Sequence, residues 1–395
     1  MKKYLSVCLI FILYMNMIST RTAEAEKNKD QLNISAKSAV LIEGSTGEII
    51  YEKNKDEKLQ PASITKIMTL LLIFEALEAG KFTLSDQITV SEHAASMGGS
   101  QVFLEPYETQ DVNTMLKCIS ISSANDAAVA MAEHIAGSEE EFVSRMNARA
   151  KELGMLNTNF VNCTGLDVDG HYSTAYDVAL MSRELITKHP QISDYSTVWM
   201  DTFTHTTKKG QTEFGLSNTN KLVRTYDGIT GLKTGSTSKA KYCLSATAKK
   251  NGMDLIAVIM SAPDHKVRFT EAAKLLDYGY ANCSLFSDDN KDLVIEPVEI
   301  TGGIKDQLQG KVTTIFSYIC LNGINPADIT KEIVMTKTII APIKENIQIG
   351  YIRYLYNNEE IGKIPIVASE SVRAATYKDY FNMVLRKFFI NKKNH

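Results

Sequence analysis

The stretch Pro61-Ala62-Ser63-Ile64-Thr65-Lys66-Ile67-Met68-Thr69-Leu70-Leu71-Leu72-Ile73-Phe74 decides how this chain is built. From Ile64 to Ala79 apolar residues fill nearly every position, which predicts a helix buried on all sides at the centre of a domain. Ser63 opens that helix, and Lys66 shares its face because residues three apart on a helix are neighbours. Taken singly, Ser63 reads as an ordinary N-cap and Lys66 as a solvated lysine. The flanking Ile64, Ile67, Met68 and Leu70 argue that Lys66 is interior, where an amine needs a partner or a purpose. A serine hydroxyl is a weak nucleophile unless a base stands within hydrogen-bond reach. A lysine amine becomes such a base when burial or a nearby cation lowers its pKa, and Lys233 is a candidate for that cation. The helix start also offers backbone N–H groups where an oxyanion would develop.

Outward from this helix the chain alternates in character. Ser38–Asn54 (SAVLIEGSTGEIIYEKN) is two apolar runs around a glycine-containing turn, a hairpin signal. Helical spacing follows at Thr109–Ser120, Ala124–Ala136, Glu139–Leu153 and Ala175–Lys188, with a Gly/Asp-rich loop at Val161–Tyr172. Leu232–Thr234, Tyr242–Ala248 and Leu255–Met260 read as strands, and Glu271–Tyr280 as a closing helix. Strands at both ends with helices between predict an α+β domain whose sheet is assembled from both ends of the segment, residues 33–285. Beyond Asp288-Asp289-Asn290-Lys291 short alternating strands (Val294–Ile300, Lys311–Tyr318, Glu332–Met335, Ile347–Tyr356, Ile361–Val367) predict a small all-β domain, residues 292–372.

The termini carry their own signals. Lys2 and Lys3, the apolar run Tyr4–Ile18 and Ala23-Glu24-Ala25 form the pattern of a signal peptide over residues 1–25. The alternative is an uncleaved anchor, for which the run falls short of the ~20 residues a spanning helix needs. At the other end, residues 377–392 set Tyr377, Phe381, Val384 and Phe388 on one helical face beside Lys378, Arg386, Lys387 and Lys392. An aromatic face flanked by cations is the pattern of a helix lying in a membrane interface, the alternative being a helix packed on the β domain. The expected place of the protein is therefore the outer face of the cytoplasmic membrane. With Cys8 removed, five cysteines remain, an odd and sparse set that reads as buried thiols rather than a disulfide framework. The formal net charge of −3 over 395 residues argues against a nucleic-acid partner. Neither a nucleotide-binding glycine pattern nor a metal-type pairing of the seven histidines is present, so no cofactor and no metal are called for.

Three short motifs remain: Ser63-Ile64-Thr65-Lys66, Ser123-Ala124-Asn125 and Lys233-Thr234-Gly235. Each is weak alone. Together, at a helix start, an inter-helix loop and a strand, they match the S-x-x-K, S-x-N and K-T-G set of penicillin-binding proteins and class A β-lactamases. With Gly154-Met155, the Gly165–Ala175 stretch and Asn218-Thr219-Asn220, the chain resembles the low-molecular-mass penicillin-binding proteins, the serine-type D-Ala-D-Ala carboxypeptidases, over nearly its whole mature length. The resemblance implies a transpeptidase-like catalytic domain, a central antiparallel sheet with helices on both sides, followed by the β domain and the amphipathic helix. It implies a peptidoglycan pentapeptide stem ending in D-Ala-D-Ala as substrate and β-lactams as covalent inhibitors. By position, Ser63 would be acylated, Lys66 would be the base and Ser123 would relay a proton to the leaving D-alanine. Asn125 would hold the substrate amide, and Lys233, Thr234 and Gly235 would line the strand beside it. The N–H groups of Ser63 and Ser236 would form the oxyanion hole. Arg268 would bind the terminal carboxylate by bidentate pairing, the alternative being a surface salt bridge.

Competing readings are weaker. A β-lactamase needs a glutamate in E-x-x-L-N, whereas Glu152-Leu153-Gly154-Met155-Leu156-Asn157 sets the glutamate one residue too far away. A penicillin sensor needs transmembrane signalling helices, and the spacing predicts none between Glu26 and His395.

Overall fold

The computed structural model of the chain describes residues 32–321 and 323–391, with side chains described through 385 in the last helix. The expected signal peptide at 1–25 and the basic residues Lys392 and Lys393 lie outside the described residues. The chain divides into two compact units after Asn282.

The first unit is built on a five-stranded sheet. In chain order its strands include β1 (Ser38–Glu43), β2 (Ile49–Lys53), β3 (Gln87–Thr89), β4 (Thr109–Asp111), β5 (Met200–Thr207), β6 (Gly210–Ser217), β7 (Ile229–Thr237), β8 (Lys241–Lys250) and β9 (Met253–Ala262). The central sheet runs β2-β1-β9-β8-β7, antiparallel throughout. Every residue of β1 is buried. This fits a strand covered on both faces, as its apolar run Ala39–Ile42 requires. On one face Val40, Ile42, Ile256, Val258 and Met260 join the large helical core. On the other, Leu41 and Leu255 crowd Gly279 of the helix Val267–Asn282 so closely that an added Cβ would lie 2.5 Å from Leu255 Cδ1. The α+β sheet with helices on both sides is thus present.

Within the helical layer, α1 (Lys66–Glu78), α2 (Val112–Ile121), α3 (Asn125–Ala136), α4 (Glu139–Glu152) and α5 (Ala175–Lys188) surround α1, whose buried residues face every direction. Two local starts differ from the sequence expectation. Ala62–Thr65 is a tight 3-10 turn and α1 proper begins only at Lys66, so Ser63 caps nothing. The segment expected as helix from Thr109 begins as β4, paired with β3, and becomes helical at Val112 where Asp111 accepts from Thr114 N–H. The β5–β6 hairpin was not anticipated. Its sequence is rich in Thr and Lys, and only Phe203, His205, Phe214 and Leu216 turn inward.

The second unit is all β apart from a 3-10 turn and its last helix. It begins with Cys283–Asp288, paired with Phe316–Leu321, ahead of the expected boundary at 292. The expected strand Val294–Ile300 is ordered as a strand only at Val298–Thr301, and Lys311–Tyr318 is broken into Gly310–Val312 and Phe316–Leu321. Tyr354 anchors this core, stacked on Phe316 with ring centroids 3.8 Å apart while Asn290 Nδ2 donates to its hydroxyl at 2.7 Å. The last described element is the helix Tyr377–Asn391, capped where Thr376 N–H donates to Asp379. Its Tyr377, Tyr380, Phe381, Val384 and Leu385 side chains are exposed. Among the described residues no helix is long and apolar enough to cross a membrane. The described cysteines are all free, and only Cys283 is less than fully buried.

Candidate active site

Four segments converge on Ser63. The 3-10 turn presents its side chain half-buried at the end of α1, on a backbone that forces Ala62 into a left-handed φ of 49°. Lys66 is wholly buried, and its Nζ lies 3.3 Å from Ser63 Oγ, 2.5 Å from Asn125 Oδ1 and 2.8 Å from the Thr164 carbonyl. Burial pushes the amine down to about 7, against the pull of Asp126, the nearby anion. The Cys163 thiol beside it stays protonated because burial raises its pKa well above the ordinary value. Of the three groups around Nζ, the Asn125 and Thr164 oxygens can only accept. A neutral amine that donates two N–H bonds to them has its lone pair left for Ser63, the one partner with a proton to give.

Lys233 is also buried, and its pKa is held well below the ordinary lysine value, first by burial and then by Lys66 and Arg268. The expected repulsion between the two amines therefore bears mainly on Lys233, while desolvation is what depresses Lys66. Ser123 sits on the loop before α3 at φ 61°, with its Oγ buried and unpartnered. No protein group satisfies this hydroxyl, whereas buried polar atoms are ordinarily satisfied. Thr234 Oγ1 donates to Thr219 Oγ1 at 2.6 Å. Asn218 and Asn220 brace this wall, Asn220 Nδ2 reaching the Gly231 carbonyl at 3.2 Å.

Two glycines allow the walls to meet. A Cβ on Gly235 would come within 2.8 Å of Ser63 N, so the edge of β7 runs against the nucleophile turn. A Cβ on Gly165 would fall 1.9 Å from the Ala62 carbonyl, and Gly165 itself has φ +86°. The loop Val161–Tyr172 is pinned from several sides. Asn162 Oδ1 accepts from Thr164 and Gly165 N–H, and Asp167 accepts from Thr237 Oγ1 at 2.8 Å. His171 receives Val161 N–H on Nδ1, so its Nε2–H donates to Thr65 Oγ1 at 2.9 Å. Burial pushes this imidazole down to about 4, and it stays neutral at physiological pH.

The structure brings Ser63, Lys66 and Asn125 into direct contact, with Gly235 against the Ser63 backbone. Ser236 lies exposed on β7. Arg268 is part-buried and donates through Nη1 to the Gly235 carbonyl at 3.0 Å, with its guanidinium over Phe269. It is thus tied to the β7–β8 backbone, with no salt bridge of its own among the described residues. Sequence reasoning missed Thr164 and Asp126, and it quoted Thr219 within a motif without giving it a role. Thr164 acts through its carbonyl, which no side-chain pattern announces. Asp126 directly follows Asn125 and was legible only as part of a helix start. Among the described residues, no cluster of three or more His, Cys, Asp or Glu is placed to hold a metal ion.

Known proteins resemble this chain along most of its length. The family profile described as D-alanyl-D-alanine carboxypeptidase matches residues 23–264, and that of the penicillin-binding protein 5 C-terminal domain matches residues 285–374. The chain is 43% identical over 378 residues to the D-alanyl-D-alanine carboxypeptidase DacF of Bacillus subtilis, covering 95% of this chain and 96% of the relative. It is 31% identical to DacC of Escherichia coli, covering 92% and 91%. Among solved structures, penicillin-binding protein 5 from Haemophilus influenzae superposes with a TM-score of 0.74 at 29% identity, over 86% of this chain and 98% of the other. The Streptomyces K15 DD-transpeptidase superposes with a TM-score of 0.59 at 27% identity, over 63% and 98%.

Two outcomes follow from the geometry. Because Lys66 must be unprotonated to accept a proton and its pKa is about 7, acylation of Ser63 by a β-lactam falls about tenfold per pH unit below that value and levels off above it. Timed mass spectrometry across the pH range checks this, and a flat profile below neutrality would contradict it. Gly165→Ala displaces the nucleophile turn and slows the same acylation by about a hundredfold, the scale expected for an ångström of misplacement. A normal rate in that variant would refute the close approach.

Proposed function

The chain belongs to the D-alanyl-D-alanine carboxypeptidase family of serine peptidases, and we propose that it releases the terminal D-alanine of peptidoglycan stem peptides through an acyl ester on Ser63. The observation that carries this reading is the buried Lys66 amine, 3.3 Å from Ser63 Oγ with its other contacts occupied by pure acceptors.

The steps follow from that arrangement. Asn125 and the edge of β7 hold the peptide so that the D-Ala-D-Ala carbonyl faces Ser63. Lys66 takes the hydroxyl proton as Oγ bonds to the carbonyl carbon. The oxyanion is met by the Ser63 and Ser236 N–H groups, whose fixed dipoles need no reorganisation. The unpartnered Ser123 Oγ passes a proton from Lys66 to the departing amine, the C–N bond breaks, and D-alanine leaves. Lys66, neutral again, then activates water to hydrolyse the ester. Arg268 supplies positive charge for the substrate carboxylate, and Lys233 and Thr234 line the strand beside it as hydrogen-bond donors. A β-lactam enters the same sequence and is retained as the acyl-enzyme. The β-lactamase alternative is disfavoured because Glu152 is an exposed helix residue paired with Arg149, not a group in the cleft.

The same reading includes export by the segment 1–25 and peripheral attachment to the outer face of the cytoplasmic membrane by the helix Tyr377–Asn391. The exposure of Tyr377, Phe381 and Val384 supports attachment, since an aromatic-apolar face left open to water favours an interface. There the enzyme would act in cell-wall biogenesis and remodelling.

Ser63→Ala is expected to abolish both D-alanine release and covalent penicillin labelling, and a penicillin adduct mapped to another residue would end the proposal. Deleting Tyr377–His395 is expected to move the protein from the membrane to the soluble fraction with turnover of a soluble peptide unchanged. Continued sedimentation with membranes would remove the anchor.

A further inference from the structure

We propose that Phe103 is a substrate-contacting residue, a platform for the aliphatic side chain of the residue that precedes D-Ala-D-Ala; this rests on the peptidase reading above. Phe103 has φ 61° and its ring is 61% exposed. A bulky residue in the left-handed region is strained, and here the strain secures no buried packing for the ring.

What enforces the conformation is Asp126. Its buried carboxylate accepts the N–H of Val102 and of Leu104, each at 3.1 Å, and that of Ala127 at 3.0 Å. Drawing in the N–H groups on both sides of Phe103, while Val102 and Leu104 bury their side chains, leaves Phe103 to turn outward. The ring does not hang free. It meets Phe214 edge-on with centroids 6.0 Å apart, and Phe214 in turn rests on Phe203 and His205. His205 is joined to the buried Glu108 carboxylate at 2.9 Å, and Lys209 to Glu105 at 2.7 Å, so the β5–β6 hairpin is fastened to the Phe103 loop. The platform is fixed before any ligand arrives.

It is also continuous with the catalytic cleft. Asn125 Nδ2 donates to the Gly98 carbonyl at 2.7 Å, and Asn125 N–H to that of Ser100 at 2.7 Å. The segment 98–104 therefore hangs on the consecutive residues Asn125 and Asp126. On the peptidase reading, a peptide whose amide Asn125 holds would run beside this segment. Across from it the part-exposed Leu166 lies near Gly99, where an added Cβ would sit 3.5 Å from Leu166 Cδ2. Phe103 and Leu166 thus both present apolar surface beside the 98–104 segment, suited to methylene groups rather than to a charged tip.

The test compares two donors, diacetyl-L-lysyl-D-Ala-D-Ala and acetylglycyl-D-Ala-D-Ala, which differ in the side chain at issue. Phe103→Ala is expected to lower kcat/KM on the lysyl peptide by about tenfold, the scale of a few methylenes losing a hydrophobic contact. The glycyl peptide reports on folding and on the catalytic groups, and its turnover is expected to stay within about twofold of wild type. Phe103→Tyr, which retains the ring, is expected to keep the preference. Equal losses on both peptides, or no loss on either, overturns the platform. Failure of the wild-type enzyme to release D-alanine from either peptide overturns the peptidase reading with it.

Discussion

The desolvation of one amine governs this molecule. Lys66 lies in the first turn of a helix packed on every side, where an ammonium ion loses most of its hydration. The helix cannot be buried without burying Lys66, and Lys66 cannot be buried without partners. Asn125 and the Thr164 carbonyl supply two and Ser63 the third. The structural demand for satisfied hydrogen bonds and the chemical demand for a base are met by the same contacts. The balance is fine: more burial would lower the amine's basicity further, while a closer anion would restore the charge.

That balance depends on loops brought in from distant parts of the chain. Thr164 belongs to a loop held by Asn162, Asp167 and His171, and Asn125 to a helix start that carries the 98–104 segment. Gly165 and Gly235 let two backbones approach the nucleophile turn more closely than any side chain permits. Strain gathers in the same places, at Ala62, Phe103 and Ser123. Left-handed residues persist only where surrounding contacts over-determine them, and around this cleft the contacts are backbone N–H groups drawn to buried carboxylates and amides. Asp126 is the clearest instance, because one side chain both orders the 102–104 backbone and places negative charge near Lys66.

The second unit follows a different logic. Its core is a compact set of β residues around Tyr354, whose hydroxyl is satisfied by Asn290 and Asp288. Its last helix leaves Tyr377, Phe381 and Val384 exposed rather than packed.

How much of this was legible beforehand depended on the range of the interactions involved. Helix periodicity, the first hairpin and the three motifs are local patterns, so the α+β class, the serine–lysine pair and the K-T-G strand could be read directly from residue order. The β5–β6 hairpin was not readable, because its strands are largely polar. The 3-10 turn under Ser63 and the β4 start before Val112 were not, because each is held by residues elsewhere in the chain. The roles of the Thr164 carbonyl, Thr219 and Asp126 were hidden for the same reason: a backbone acceptor or an ordinary helix aspartate acquires meaning only when something else is folded against it. Residue order determined which groups were available for the chemistry. Tertiary structure decided which of them are dry, since hydration is lost only where several segments close over the same few ångströms.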